Sequence, residues 1–196
     1  MDTELAFIMA NMGCARPGRV CYDPFSGTGS LLIAAAHYGS VCLGSDIDHK
    51  MSSMREGQKN ITTNFKHYDL PLPQLLLDIV RCDNSRNSSL WAATRKRPLF
   101  DAIICDPPYG IRAGAKKLGV KEGTVVRVPP PEFTKVHIPQ TVAIGMDEVL
   151  EDLFDLADRT LIIGACGLPH FHPHASFLTS CLIFTLMPHF HPHIRF

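Results

Sequence analysis

Four aspartates, Asp23, Asp46, Asp83 and Asp106, each end a short apolar run and are each followed by turn-forming residues. Asp23 opens Asp23-Pro-Phe-Ser-Gly27-Thr-Gly29, where the glycines allow a close backbone approach and the following helix start offers N–H donors. An acid directly before such a loop suits a ligand with a positive ammonium group better than it suits a pyrophosphate. The third glycine of a dinucleotide fingerprint is also missing, because Leu32 stands at its position. An ordinary strand-to-helix turn accounts for the loop as well. Asp46 lies at the end of the next apolar run, in Gly44-Ser-Asp46-Ile-Asp48, spaced to take two ribose hydroxyls. Asp48 suits a helix N-cap. Asp83, in Cys82-Asp83-Asn84-Ser85, has the chemistry to accept from an adenine amino group, and the same four residues also make a good turn. Asp106-Pro107-Pro108-Tyr109-Gly110 is the most specific constellation. Its prolines lack N–H donors but keep their carbonyls, so an aspartate and a proline carbonyl can accept both hydrogens of an exocyclic NH2. The nitrogen lone pair then points at an electrophile, with Tyr109 placed to stack on the base. A lone Pro-Pro-Tyr is otherwise a rigid turn with an exposed ring.

Strands must carry these four acids to one edge. Residues 19–23 read as a buried strand and 41–45, 76–82 and 100–105 as three further strands, with 4–12, 28–38, 48–68 and 147–160 as helices. Gly39 suits the residue just past the second helix. On the last helix, Val149, Leu150, Leu153, Phe154 and Ala157 share one face. Residues 110–146, rich in glycine and proline, read as a long loop. Alternating strands and helices predict an α/β fold with a parallel sheet, whose strand-end loops gather on one edge. Arg112, Lys116, Lys117 and Lys121 follow the proline motif; they suit phosphate contacts, or a plain solvated loop.

With these motifs in place the sequence resembles the class I S-adenosylmethionine-dependent amino-methyltransferases, which have a Rossmann-like sheet. More narrowly, Phe7-Ile-Met-Ala-Asn11, Asp23 to Gly29, Leu31-Leu-Ile-Ala34, Gly44 to Asp48 and Asp101 to Arg112 resemble the eukaryotic tRNA (guanine-10-N2)-methyltransferase catalytic subunits. The resemblance implies S-adenosyl-L-methionine as cofactor, with Asp23, Phe25, Gly27 and Gly29 on its methionyl part. It puts Asp46 on the ribose, Ile47 beside the adenine and Asp83 on the adenine amino group. Asp106, Pro107, Pro108 and Tyr109 become the catalytic loop, and Arg112, Lys116 and Lys117 the substrate contacts. It further implies tRNA and a small zinc-binding activator subunit as partners, a cytoplasmic setting, and no metal in this chain. An adenine-N6 methyltransferase uses the same loop, and a cofactor- or partner-binding fragment without turnover is the non-enzymatic alternative.

The resemblance covers residues 1–164; from there the sequence turns into a His/Pro/Phe-rich tail, 165–196, that reads as unstructured. Pro169-His-Phe-His-Pro-His174 recurs as Pro188-His-Phe-His-Pro-His193. The sequence is thus expected to hold a methyltransferase domain shortened at both ends, without the last strands of its sheet and with the fourth strand as an exposed edge. Phe177 to Leu186 is apolar enough to pair there, although no feature of the sequence selects that pairing.

Across 196 residues, Lys+Arg and Asp+Glu balance at 19 each, which excludes a generically basic nucleic-acid coat. The tail from Leu168 carries one charge, Arg195, and six of the ten histidines, leaving the rest at a net charge of −1. Seven scattered cysteines without a C-x-x-C spacing suggest reduced thiols rather than disulfides or a zinc ribbon. The acidic start and the short apolar runs lead to the expectation of neither a secretory leader nor a membrane span.

Overall fold

The computed structural model of the chain describes residues 2–47, 60–85, 98–108, 114–120 and 140–162, together with the backbone of 182–184. Helix α1 (Thr3–Met12) starts where the Asp2 side chain accepts from the Glu4 N–H. It leads into β1 (Val20–Asp23), α2 (Ser30–His37) and β2 (Val41–Asp46). Then come α3 (Ile61–His67), capped reciprocally by Asn60 and Thr63, and β3 (Leu76–Arg81). Strand β4 (Ala102–Cys105) precedes two short strands, β5 (Lys116–Leu118) and β6 (Thr141–Ala143), then α4 (Met146–Thr160) and β7 (Leu182–Phe184).

The main sheet is parallel in the order β3-β2-β1-β4-β7. The chain runs outward from β1 to β3 and returns to the other side of β1 as β4. The strand order therefore reverses between β1 and β4, and in open parallel sheets ligands bind at the carboxyl ends beside such a reversal. Asp23 ends β1 and Asp106 follows β4, so the fold sets two of the four aspartates on either side of that point.

Helices cover both faces of the central strands β1 and β4, which is why these read as apolar runs without alternation, whereas the edge strand β3 is largely exposed, with Leu77 open to solvent. On one face α1, α2 and α3 pack Ala10, Leu32 and Phe65 with Cys21, Cys42, Ala102 and Ile104. On the other, Leu153, Leu156 and Ala157 of α4 pack with Tyr22, Phe100 and Ile103. The α4 stripe is rotated from the expected one. Leu156 and Thr160 are buried, whereas Phe154 is 40% exposed, because helix-to-sheet docking, not hydrophobicity alone, selects the inward side.

Two further expectations change. The stretch 110–146 is not wholly loop: β5 and β6 pair antiparallel within it. Strands of three residues fall below the length at which alternation is visible. The outer edge of β4 is also not bare. Leu161 bridges Phe100, and β7 pairs in register with Ile103, Ile104 and Cys105. The repeated His/Pro motifs of the tail, Asp48, and most of the expected 48–68 helix lie outside the described residues. Deleting 165–196 removes β7 and uncovers an apolar edge. The truncated chain is expected to lose about 2 kcal/mol of unfolding free energy and to self-associate. Urea melts and size-exclusion chromatography check this, and a monomer of unchanged stability would contradict it.

Candidate functional site

Asp23 is the most buried of the four acids, at 2% exposure. Its Oδ1 accepts from the Phe25 N–H at 3.0 Å, folding the chain tightly into the glycine loop. Burial pushes its carboxyl up to about 8, the Phe25 N–H opposes this, and the neighbouring charges of Asp46 and Asp106 raise it further. Asp23, Asp46 and Asp106 therefore share one electrostatic environment, as their strand ends require. Three carboxylates held together with one pushed toward its neutral form make a site whose electrostatic deficit is a cation.

The glycine loop is closed onto β2. The Ser26 N–H and Oγ–H both donate to the Ser45 carbonyl, at 2.9 and 3.0 Å, and the Gly27 N–H donates to Asp46 Oδ2 at 2.9 Å. Gly27 and Gly29 have φ of 46° and 82°, left-handed conformations that favour glycine. At Gly29 an added Cβ would also lie 2.9 Å from Ile61 of α3. Phe25 is half-buried and packs against the cluster on the α4 side, and Ile47 follows β2 half-buried. Asp46 thus has two duties: it ends β2 at the ligand edge and fastens the loop from β1.

Asp83 is half-buried, and both its oxygens accept from backbone donors. Oδ1 takes the Ser85 N–H at 2.9 Å, closing the expected turn, and Oδ2 takes the Leu118 N–H of β5 at 2.7 Å. The hairpin that follows the proline motif is therefore moored to the third aspartate. Asp106 and Pro108 are half-buried and Pro107 is fully buried, so the loop leaves β4 with its first proline anchored in the interior. Tyr109, Arg112 and Lys121 lie outside the described residues. Lys116 is exposed. Lys117 pairs with Glu148 of α4, and that hydrogen bond raises its pKa. Its ammonium thus ties the hairpin to α4.

Polar residues that the sequence reading passed over lie directly beneath these acids. Tyr22 and Ser45 are buried, and with Asn84 they join the ends of β1, β2 and β3 through hydrogen bonds of 2.6–2.9 Å. The available signal was Tyr22 itself: a tyrosine inside a buried strand needs a partner for its hydroxyl. Among the described residues no group of three or more His, Cys, Asp or Glu is placed to hold a metal ion. No described helix is long and apolar enough to cross a membrane.

The strand-end edge thus holds three mutually interacting carboxylates, Asp23, Asp46 and Asp106, with Asp83 beside them taking two backbone N–H groups. Comparison with known proteins gives the chain's relatives. Residues 1–121 match the family described as UPF0020: RMKL-like, methyltransferase domain. The chain is 45% identical over 165 residues to the tRNA (guanine(10)-N(2))-methyltransferase TRMT11 of Dictyostelium discoideum, covering 84% of this chain and 31% of that protein. It is 36% identical over 171 residues to the tRNA (guanine(10)-N(2))-methyltransferase of Saccharomyces cerevisiae, covering 83% and 38%. The chain thus spans about a third of the length of the curated relatives it matches. Among solved structures, SMU.776, crystallised in complex with SAH, shares the fold with a TM-score of 0.50 and 15% identity, over 82% of this chain and 32% of that one.

Proposed function

Because the chain belongs to the RMKL-like methyltransferase domain family UPF0020, we propose that it transfers a methyl group from S-adenosyl-L-methionine to the exocyclic N2 of a guanine in tRNA. The observation that carries this reading is the placement of Asp23 and Asp106 on either side of the strand-order reversal, their charges coupled. The donor set fits the cofactor: a buried acid for the ammonium, Asp46 for the ribose, and Asp83 for the adenine amino group. In this reading Phe25, Gly27 and Gly29 hold the methionyl part and Ile47 borders the adenine. The cofactor supplies a methyl group already activated on a sulfonium.

The protein's own share is therefore binding and orientation. Asp106 and the Pro107 carbonyl accept the two N–H groups of the guanine amine and hold its lone pair in line with the methyl group. Asp106 would also oppose the positive charge that grows on nitrogen as the N–C bond forms and the S–C bond breaks, and would accept the surplus amine proton, the leaving group being the neutral thioether S-adenosylhomocysteine. Tyr109 stacks on the base, which must reach the loop unstacked. Arg112 and Lys116 meet neighbouring phosphates, and Lys117 keeps the hairpin in place through Glu148. A small zinc-binding activator subunit and a cytoplasmic setting belong to the same reading.

The test is incubation of the full chain with radiolabelled cofactor and unmodified tRNA, with and without an activator subunit, followed by nucleoside mass spectrometry. N2-methylguanosine is the expected product. N6-methyladenosine would move the assignment to the adenine enzymes. Cofactor binding without transfer under either condition would make the chain a binding module.

A further inference from the structure

We propose that Asn84 is a positioning residue that presents Asp83 to the adenine of the cofactor and so sets the protein's preference for an amino-bearing purine. The proposal rests on the methyltransferase reading above and adds to it a residue which that reading leaves without a role.

Proton counting shows how the residue is held. Tyr22 Oη–H donates to Asn84 Oδ1 at 2.8 Å, which uses the only proton of the phenol. The 2.6 Å contact between Tyr22 Oη and Ser45 Oγ is then best served by the serine proton, which also has the Pro24 carbonyl within reach at 3.4 Å. Asn84 Nδ2 donates to Ser45 Oγ at 2.9 Å and, with its second hydrogen, to the Pro24 carbonyl at 2.8 Å. Ser45 to Tyr22, Tyr22 to Asn84 and Asn84 to Ser45 form a closed cycle, and Asn84 Oδ1 also accepts from Cys82 Sγ at 3.3 Å. The Pro24 carbonyl fixes the amide the right way round, because a flipped amide would set oxygen against oxygen.

Tyr22 and Ser45 are buried, where polarised chains of hydrogen bonds are strengthened and a missing member is costly. The described residues that follow β3, 82–85, belong to no helix or strand. The Asn84 side chain fastens them to Pro24 in the β1 loop and to Ser45 in β2, one residue from the acid that must meet the adenine. Asp83 in turn is oriented by the Ser85 and Leu118 N–H groups. A loop without the Asn84 anchor keeps its carboxylate but loses the position of that carboxylate relative to the β1 and β2 ends.

The experiment compares binding of S-adenosylhomocysteine with S-inosylhomocysteine, which carries a carbonyl in place of the adenine amino group, by calorimetry on the full chain. Wild type is expected to favour the adenosyl compound by about thirtyfold or more, since a site built around an amine rejects its replacement. Asn84→Ala should weaken adenosyl binding by about tenfold and shrink the preference to about threefold. Tyr22→Phe removes one hydroxyl from the cycle without changing shape, and keeps the proposal testable if Asn84→Ala does not fold. It should shift the preference the same way, with an effect that is not additive with Asn84→Ala. A purely structural role would lower the melting temperature and leave the preference intact; that result in either folded variant overturns the proposal. A wild-type chain that binds neither compound refutes the methyltransferase reading itself.

Discussion

Asp106→Ala is expected to lower the rate of methyl transfer by about a thousandfold, the scale for removing one preorganised polar group facing a transition state. Affinity for S-adenosylhomocysteine should stay within about threefold of wild type. The two readouts separate because Asp106 meets the acceptor amine and not the cofactor. A second effect works in favour of binding: the Asp106 charge raises the Asp23 carboxyl, so its removal makes Asp23 easier to ionise. Asp106→Asn should fall between the two, since an amide oxygen still accepts one N–H but carries no charge. Single-turnover transfer measured beside calorimetry decides the matter. A collapse of cofactor affinity in parallel with the rate would move Asp106 from the acceptor to the cofactor.

Asp23→Asn is expected to stabilise the fold and to damage the site. The Asp23 carboxyl is pushed up to about 8 from an ordinary 3.8, so between these values the folded chain holds a proton that the unfolded chain has released. Its contribution to stability is complete below pH about 4 and is lost progressively as the pH rises toward about 8. Asparagine keeps the shape and the acceptor for the Phe25 N–H without that loss. The variant should therefore melt about 5 °C higher at pH 8 and no higher near pH 4.

Binding runs the other way. A cationic ligand needs the ionised form, so wild-type affinity for S-adenosylhomocysteine should rise by up to about tenfold per pH unit between about pH 6 and 7.5, with one proton released. The variant should bind at least about a hundredfold more weakly, with little pH dependence. Calorimetry in buffers of different ionisation enthalpy reads the proton directly. Proton uptake, or a flat wild-type profile, would remove Asp23 from the ammonium site.

The four acids were legible because their chemistry is local. A strand end, an aspartate and a turn lie within a few residues of each other, and apolar runs between glycine and proline punctuation mark the central strands, covered on both faces. The inward side of α4 was less legible, since Leu150 and Phe154 are as apolar as Leu156 and only the docking angle distinguishes them. The β5–β6 hairpin left no readable pattern, being held by partners distant in sequence: Asp83 receives the Leu118 N–H, and Glu148 takes Lys117. For the same reason Asn84 read as a turn residue, although its partners are Tyr22, Pro24 and Ser45.

By itself the sequence determined the α/β class and the identity of the acids at the strand ends, because periodicity, turn chemistry and motif spacing are short-range properties. Tertiary structure decided which acid is buried enough to hold its proton, that Asp46 fastens the glycine loop, that Asn84 links three strand ends, and that β7 lies along the outer edge of β4. Each of these depends on groups brought together from distant parts of the chain, where burial and hydrogen-bond geometry govern the energy and spacing along the sequence does not.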